Sequence, residues 1–147
     1  MYKNIYVPVN NSAVSTYLIN EAIRLAKFNL ARIRFIHIIN LNEELFKPYS
    51  LEVRHFGADK YDVETLQFID QIKIKCCDNK IGAEIEVIKS YCDIDKAIIK
   101  DAILWGADLI MLGYCHKLGS IFHAWGDNVI EKLATESNLP LLLIHKA

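Results

Sequence analysis

The stretch from Trp105 to Asn128, WGADLIMLGYCHKLGSIFHAWGDN, constrains the fold more than any other part of this chain. It opens with Asp108 to Leu112, a short, mainly apolar run that reads as a buried strand, as strands of parallel sheets are. Gly113 follows, then a loop, then Gly126 directly before an amphipathic helix that starts at Asp127. A strand, a loop bounded by glycines and a helix start make an anion site in α/β proteins. Glycine lets the backbone approach a phosphate closely, and the free N–H groups of the first helical turn point at it.

The rest of the chain supplies the sheet that such a unit needs. Asn4 to Val9 reads as a first strand, with Pro8 near its end, where a missing N–H can face a crevice instead of a ladder partner. Asn10, Asn11 and Ser12 turn the chain, with Ser12 as a helix N-cap. The helix that follows, to about Lys27, carries Val14, Leu18, Ala22 and Leu25 on its apolar stripe, and Asn29 is expected as a left-handed C-cap. Arg32 to Ile39 is the second strand. Residues 40–59 show no sustained period, although Glu43 to Lys47 suits one helical turn capped by Asn42. A helix from about Lys60 to Asn79 is expected to bury Val63, Leu66, Ile69, Ile72 and Cys76 and to end at Gly82. Glu84 to Lys89 is a third strand with one polar face, suited to a sheet edge. Asp93 or Asp95 caps a third helix through Leu104, with Ala97, Ile98, Ala102 and Ile103 inward and Gly106 as its terminator. The last helix runs from Asp127 to about Ser137 with Val129, Ile130 and Leu133 on its core side, and Pro140 to His145 is the fifth strand.

Strands alternating with helices imply a parallel sheet covered on both faces, with right-handed crossovers. The expected class is therefore α/β, a Rossmann-like doubly wound sheet of five parallel strands in the order 3-2-1-4-5, forming one domain over residues 1–147. That order opens a crevice between strands one and four at their C-terminal ends, so the loop from Asn10 to Ser12 and the loop from Gly113 to Gly126 come to the same place.

Composition narrows the function classes. Of the 147 residues 52% are hydrophobic, enough for a sizeable core, and the longest apolar run, Leu139 to Ile144, is strand-sized and too short for a membrane span. The start, MYKNIYVPV, alternates like a strand and lacks the layout of a signal peptide, so a cytoplasmic location is expected. A net charge of −1 makes no case for nucleic acid or an anionic membrane. Cys76, Cys77, Cys92 and Cys115 show no C-x-x-C spacing and read as reduced, packed thiols, and His37 reads as a hydrogen-bonded core residue. Cys115, His116 and His123 lack paired spacing, so no metal site is assigned to them. No G-x-S-x-G elbow and no P-loop ending in G-K-[ST] is present, and no catalytic residue is assigned. The alternative is a hydrolase with Asp127 and His116 as an acid–base pair. Each has a simpler reading, Asp127 as a helix cap and His116 as a loop residue facing solvent.

The chain resembles the universal stress protein family over nearly its whole length. NIYVPVNNS is similar to the family's opening strand and loop, usually VPVDGS. FIHII resembles its second strand, WGADLIMLG the sequence before its glycine loop, and LPLLLIHK its closing strand. Order and spacing together carry the likeness. Nucleotide-binding members have G-x-x-G, nine residues, then G-[ST]; here Gly113 and Gly126 stand at the first and third glycines, His116 at the second, and Asp127 at the hydroxyl position. The resemblance implies a candidate nucleotide site of Pro8, Asn10, Ile38, Leu112, Gly113, His116, Gly126, Asp127 and Asn128. Pro8 and Asn10 would approach the ribose and phosphates, the Ile38 backbone the adenine, and the Gly126 region the phosphates. The ligand class it implies is ATP or AMP with Mg²⁺.

Three positions depart from that pattern: Asn10 for aspartate, His116 for glycine and Asp127 for serine or threonine. An aspartate at a helix start accepts the N–H groups that a phosphate would need. It also repels the phosphate, by about 4 kcal/mol for unit charges ~4 Å apart at an effective dielectric of ~20, reduced to ~1–2 kcal/mol in an open crevice with salt. Weak ATP binding is therefore expected, with competent ATP or AMP binding as the alternative. The family likeness and the apolar edge strand together imply a homodimer through Leu141, Leu142, Leu143 and Ile144. The function expected is that of a small cytoplasmic regulatory protein of the stress response, acting by binding, with a protein partner that the sequence does not name.

Overall fold

The computed structural model describes residues 1–10, 13–41, 63–114 and 127–145. Strands β1 (Asn4–Val9), β2 (Arg32–Asn40), β3 (Ala83–Ser90), β4 (Leu109–Tyr114) and β5 (Leu141–His145) form one sheet in the order β3-β2-β1-β4-β5, with every neighbouring pair parallel. Helices α1 (Ala13–Asn29), α2 (Val63–Asp78), α3 (Ile94–Trp105) and α4 (Asp127–Glu136) alternate with the strands. Fold class and strand order are those the sequence predicts.

Residue parity along the strands divides the core into two layers, because successive side chains of a strand point to opposite faces. Odd positions Ile5, Val7, Val9, Ile33, Phe35, Leu109 and Met111 pack under α1 and α2. Even positions Tyr6, Ile36, Ile38, Ile110 and Leu112 pack under α3 and α4. Strands β1 and β4 are buried on both faces, as their apolar sequences require.

Several helix details differ from the expectation. The buried face of α2 is Phe68, Ile72 and Cys76, spaced four apart, while Val63 and Leu66 are exposed. An unbroken apolar scatter hid which stripe faces the sheet. On α3 the inward stripe is Asp95, Ile98 and Ala102, and Ile103 is exposed. The left-handed residue after α1 is Leu30, not Asn29, whose side-chain amide instead donates to the Leu25 carbonyl at 3.0 Å. After α2 it is Lys80, not Gly82. Gly106 does end α3, at φ 85°, donating its N–H to the Ala102 and Ile103 carbonyls. Cys76 is buried, which pushes its thiol pKa up, but Cys77 and Cys92 are exposed and not packed. Ser12, the 43–47 turn with its Asn42 cap, Lys60, Cys115 and His123 lie outside the described residues.

The N-terminal end of the sheet is closed by a polar network. The Asp108 carboxylate accepts the Lys3 and Asn4 backbone N–H groups at 2.8 and 3.0 Å. Tyr6 Oη donates to Asp101 at 2.8 Å, Arg34 Nε donates to the same carboxylate at 3.0 Å, and Arg34 Nη1 reaches Glu84 at 2.8 Å. The Arg32 guanidinium lies over the Trp105 ring, 4.6 Å from its centroid.

Candidate functional site

At the other end the strands part. The ladder between β1 and β4 stops at Tyr6↔Ile110, whereas β1 stays paired with β2 as far as Val9↔His37. Pro8 therefore comes after the last β1–β4 pair, where its missing N–H leaves no ladder bond unmade. It is buried and shares a face with Tyr6, Ile38 and Leu112. This is the crevice expected where the strand order reverses.

The structure brings together Pro8, Asn10, Ile38, Leu112 and Gly113 at the C-terminal ends of three adjacent strands. Ile38 and Leu112 are buried in the layer beneath α3 and α4. Gly113 lies within β4, opposite Ile144 of β5, and not in a loop as expected. Asp127 and Asn128 are the first residues of α4. His116 and Gly126 fall outside the described residues.

Asn10 is held by a contact that the sequence reading missed. Its backbone N–H donates to the Ser15 hydroxyl at 3.0 Å, and that hydroxyl donates to Asn10 Oδ1 at 3.0 Å. Ser15 is fully buried in the first turn of α1, so this reciprocal pair fixes the exit of β1 against the helix start. A serine beside Val14 on an otherwise apolar stripe was the available signal. On the opposite face, His37 Nδ1 lies 3.2 Å from the Val9 carbonyl and its ring meets Phe68 edge-on at 6.3 Å. It is a hydrogen-bonded structural residue, half-buried and not fully in the core.

Asp95 is the second omission. It is 2% exposed, and its Oδ2 has no hydrogen-bond partner among the described residues. Its spacing from Ile98 and Ala102 was legible as one helix face, but a cap role had been expected for it. Asp93 occupies the N-cap position of α3 without a side-chain cap bond, though its carbonyl accepts the Ala97 N–H at 3.1 Å.

A protein-family profile described as the Universal stress protein family matches residues 1–145, and the chain belongs to that family. Solved structures agree in fold. A universal stress family protein from Burkholderia pseudomallei is 18% identical, with 97% of this chain and 96% of that chain covered and a TM-score of 0.72. A universal stress protein from Archaeoglobus fulgidus in complex with dAMP is 14% identical, covering 97% and 98%, with a TM-score of 0.66. An Arabidopsis thaliana family protein with AMP bound is also 14% identical, covering 99% and 92%, with a TM-score of 0.65. No match was found among curated proteins. Among the described residues, no helix is long and apolar enough to cross a membrane, and no group of three His, Cys, Asp or Glu residues could hold a metal ion.

Proposed function

We propose that this chain is a single-domain, cytoplasmic regulatory protein of the stress response that acts by binding rather than catalysis. Its ligand site is the crevice where β1 leaves β4, and it retains the base-binding half of a nucleotide site while the phosphate half is degenerate. The observation that carries the reading is the early end of the β1–β4 ladder beside Pro8, Ile38 and Leu112, an apolar floor suited to a flat base. Two structural neighbours bind AMP and dAMP, by their descriptions. Should a nucleotide bind, its base would lie at the strand ends next to these residues and its phosphates would meet the start of α4. In the sequence, Asp127 and His116 stand where the family's nucleotide binders carry a hydroxyl residue and a glycine, and both changes weaken the hold on phosphates. Titration with adenosine, AMP and Mg²⁺–ATP tests this reading.

The same reading makes the protein a homodimer through β5. No side chain of β5 is fully buried, and Leu142 is 38% exposed, although the strand reads LLLIH. Alongside it, Leu25, Phe28, Met111, Leu142 and Ile144 line a groove of about 670 Å³. A second copy pairing antiparallel with this edge would satisfy its backbone and cover its apolar face. Sedimentation is expected to find a dimer at micromolar concentration, and Leu142→Lys should dissociate or precipitate it. A monomeric unaltered protein would contradict this part of the reading.

A further inference from the structure

We propose that the N-terminal end of the sheet docks on an anionic membrane surface, with Leu30 and Leu104 entering the interface and Lys3, Lys27 and Lys80 meeting lipid phosphates. Neither the crevice nor β5 takes part.

In a parallel sheet every helix returns to its next strand at the same end, so four connections and the first residues of the chain meet there. All of them lie within the described residues. Hydrogen bonds tie them together. Lys3 Nζ donates to the Asn29 carbonyl at 3.4 Å, the Arg32 N–H to the Lys3 carbonyl at 3.0 Å, and Asn4 Nδ2 to the Gly106 carbonyl at 2.8 Å. Phe28, Leu30 and Leu104 sit at these connections and are 88%, 84% and 77% exposed. Met1 apart, no large apolar side chain among the described residues is more exposed. Leu30 is anomalous twice. It holds the left-handed conformation after α1, at φ 54°, which asparagine adopts more readily, and it turns an apolar side chain to water.

The charges at this end differ from those of the whole chain, whose net charge is −1. Its carboxylates are largely engaged inside the protein: Asp101 by Tyr6 and Arg34, Glu84 by Arg34, and Asp108 by the Lys3 and Asn4 N–H groups. Exposed Asp78 and Glu136 remain, at the ends of α2 and α4. Lys3, Lys27 and Lys80 are exposed, and none of the ion pairs formed by described residues involves them. Lys27, Leu30 and Lys80 line one hollow of about 400 Å³ between the ends of α1 and α2. Lysine is depleted from protein interfaces, above all from their dry cores. At an anionic bilayer the same mixture is favourable, because large apolar tips enter the acyl boundary while lysines stay at the phosphates. The chemistry of this end therefore fits a lipid surface better than a protein surface.

Co-sedimentation of the full chain with vesicles tests this. One set is phosphatidylcholine alone, and the other contains about one-third phosphatidylserine. The protein should bind the anionic vesicles at least about tenfold more tightly than the neutral ones, and ~0.5 M salt should release it. Leu30→Asn combined with Leu104→Gln should weaken binding about tenfold or more while leaving the denaturant midpoint unchanged or higher. Lys3→Gln combined with Lys80→Asn should lower the preference for anionic vesicles by about tenfold. None of these four residues borders the crevice or the groove beside β5, so nucleotide binding and dimerisation should be unchanged in both variants. No binding to anionic vesicles at low salt, equal binding to the two vesicle types, or binding that neither variant weakens overturns the proposal. Self-association that both variants abolish, without vesicle binding, also overturns it and assigns this end to a second copy of the chain.

Discussion

Asp95 and Asp101 lie on the same helix and are used in opposite ways. Asp101 accepts from Tyr6 and twice from Arg34, and Arg34 continues to Glu84. Asp95 is more deeply buried and has one oxygen, Oδ2, with no donor among the described residues. The two ends of the sheet differ in the same sense. The N-terminal end is sealed by bonds between parts of the chain far apart in sequence, such as Asp108 with Lys3 and Asn4. At the C-terminal end the central strands separate, and one carboxylate oxygen, Asp95 Oδ2, has no donor among the described residues. One end spends its polar groups on architecture, and the other keeps one available.

The largest expected effect lies at the sealed end. Asp101→Ala would leave the Tyr6 hydroxyl without its acceptor and Arg34 short of a partner. Removing one member of such a part-buried charged network costs about 2–3 kcal/mol, to be read from the denaturant midpoint. A loss below about 1 kcal/mol would mean that the network is ornamental to stability.

The same network sets a pH dependence. Burial first, then the bond to Asp101 and its charge, push the Tyr6 phenol pKa far above its ordinary 10.0, while the Arg34 charge acts the other way. A group with a raised folded pKa contributes stability that is fully present below its unfolded pKa and is lost as pH rises. Above pH 10 the unfolded chain releases this proton and the folded chain does not. Stability should then fall by up to ~1.4 kcal/mol per pH unit from this group alone. Tyr6→Phe should be less stable at neutral pH yet lose that part of the alkaline slope, as measured by chemical denaturation at pH values from neutral to alkaline.

Asp95→Leu should have the smallest effect, and of opposite sign. Relieving a buried carboxylate of its missing donor should leave the midpoint unchanged or raise stability by ~1 kcal/mol. A clear loss of stability would make Asp95 a structural residue like Asp101 and erase the contrast.

The sheet was legible because its signals are local. Apolar runs of strand length, helical stripes and the glycine after Trp105 fix the alternation of elements, and a reversal after the early strands, as doubly wound sheets have, gives the strand order. The misreadings came where a choice depends on tertiary contact. Val63 and Leu66 have the right residue type for a core, but α2 turns Phe68 to the sheet instead. Leu30 and Lys80 adopt the left-handed conformations after their helices, where sequence pointed to Asn29 and Gly82. In the candidate site Pro8, Ile38 and Leu112 could be placed at the strand ends from pattern and resemblance, whereas Gly113, expected to open the loop, is still within β4. Ser15 and Asp95 could not, since a polar residue on an apolar stripe is an anomaly until its surroundings are known.

The central claim is that the open end still holds a base but gains little from phosphates. Calorimetry with adenosine, AMP and Mg²⁺–ATP tests it most directly. The account predicts weak binding for all three, with ATP no tighter than AMP, and a measurable gain for ATP when His116→Gly and Asp127→Ser are combined. Submicromolar affinity of the unaltered protein for Mg²⁺–ATP would contradict it.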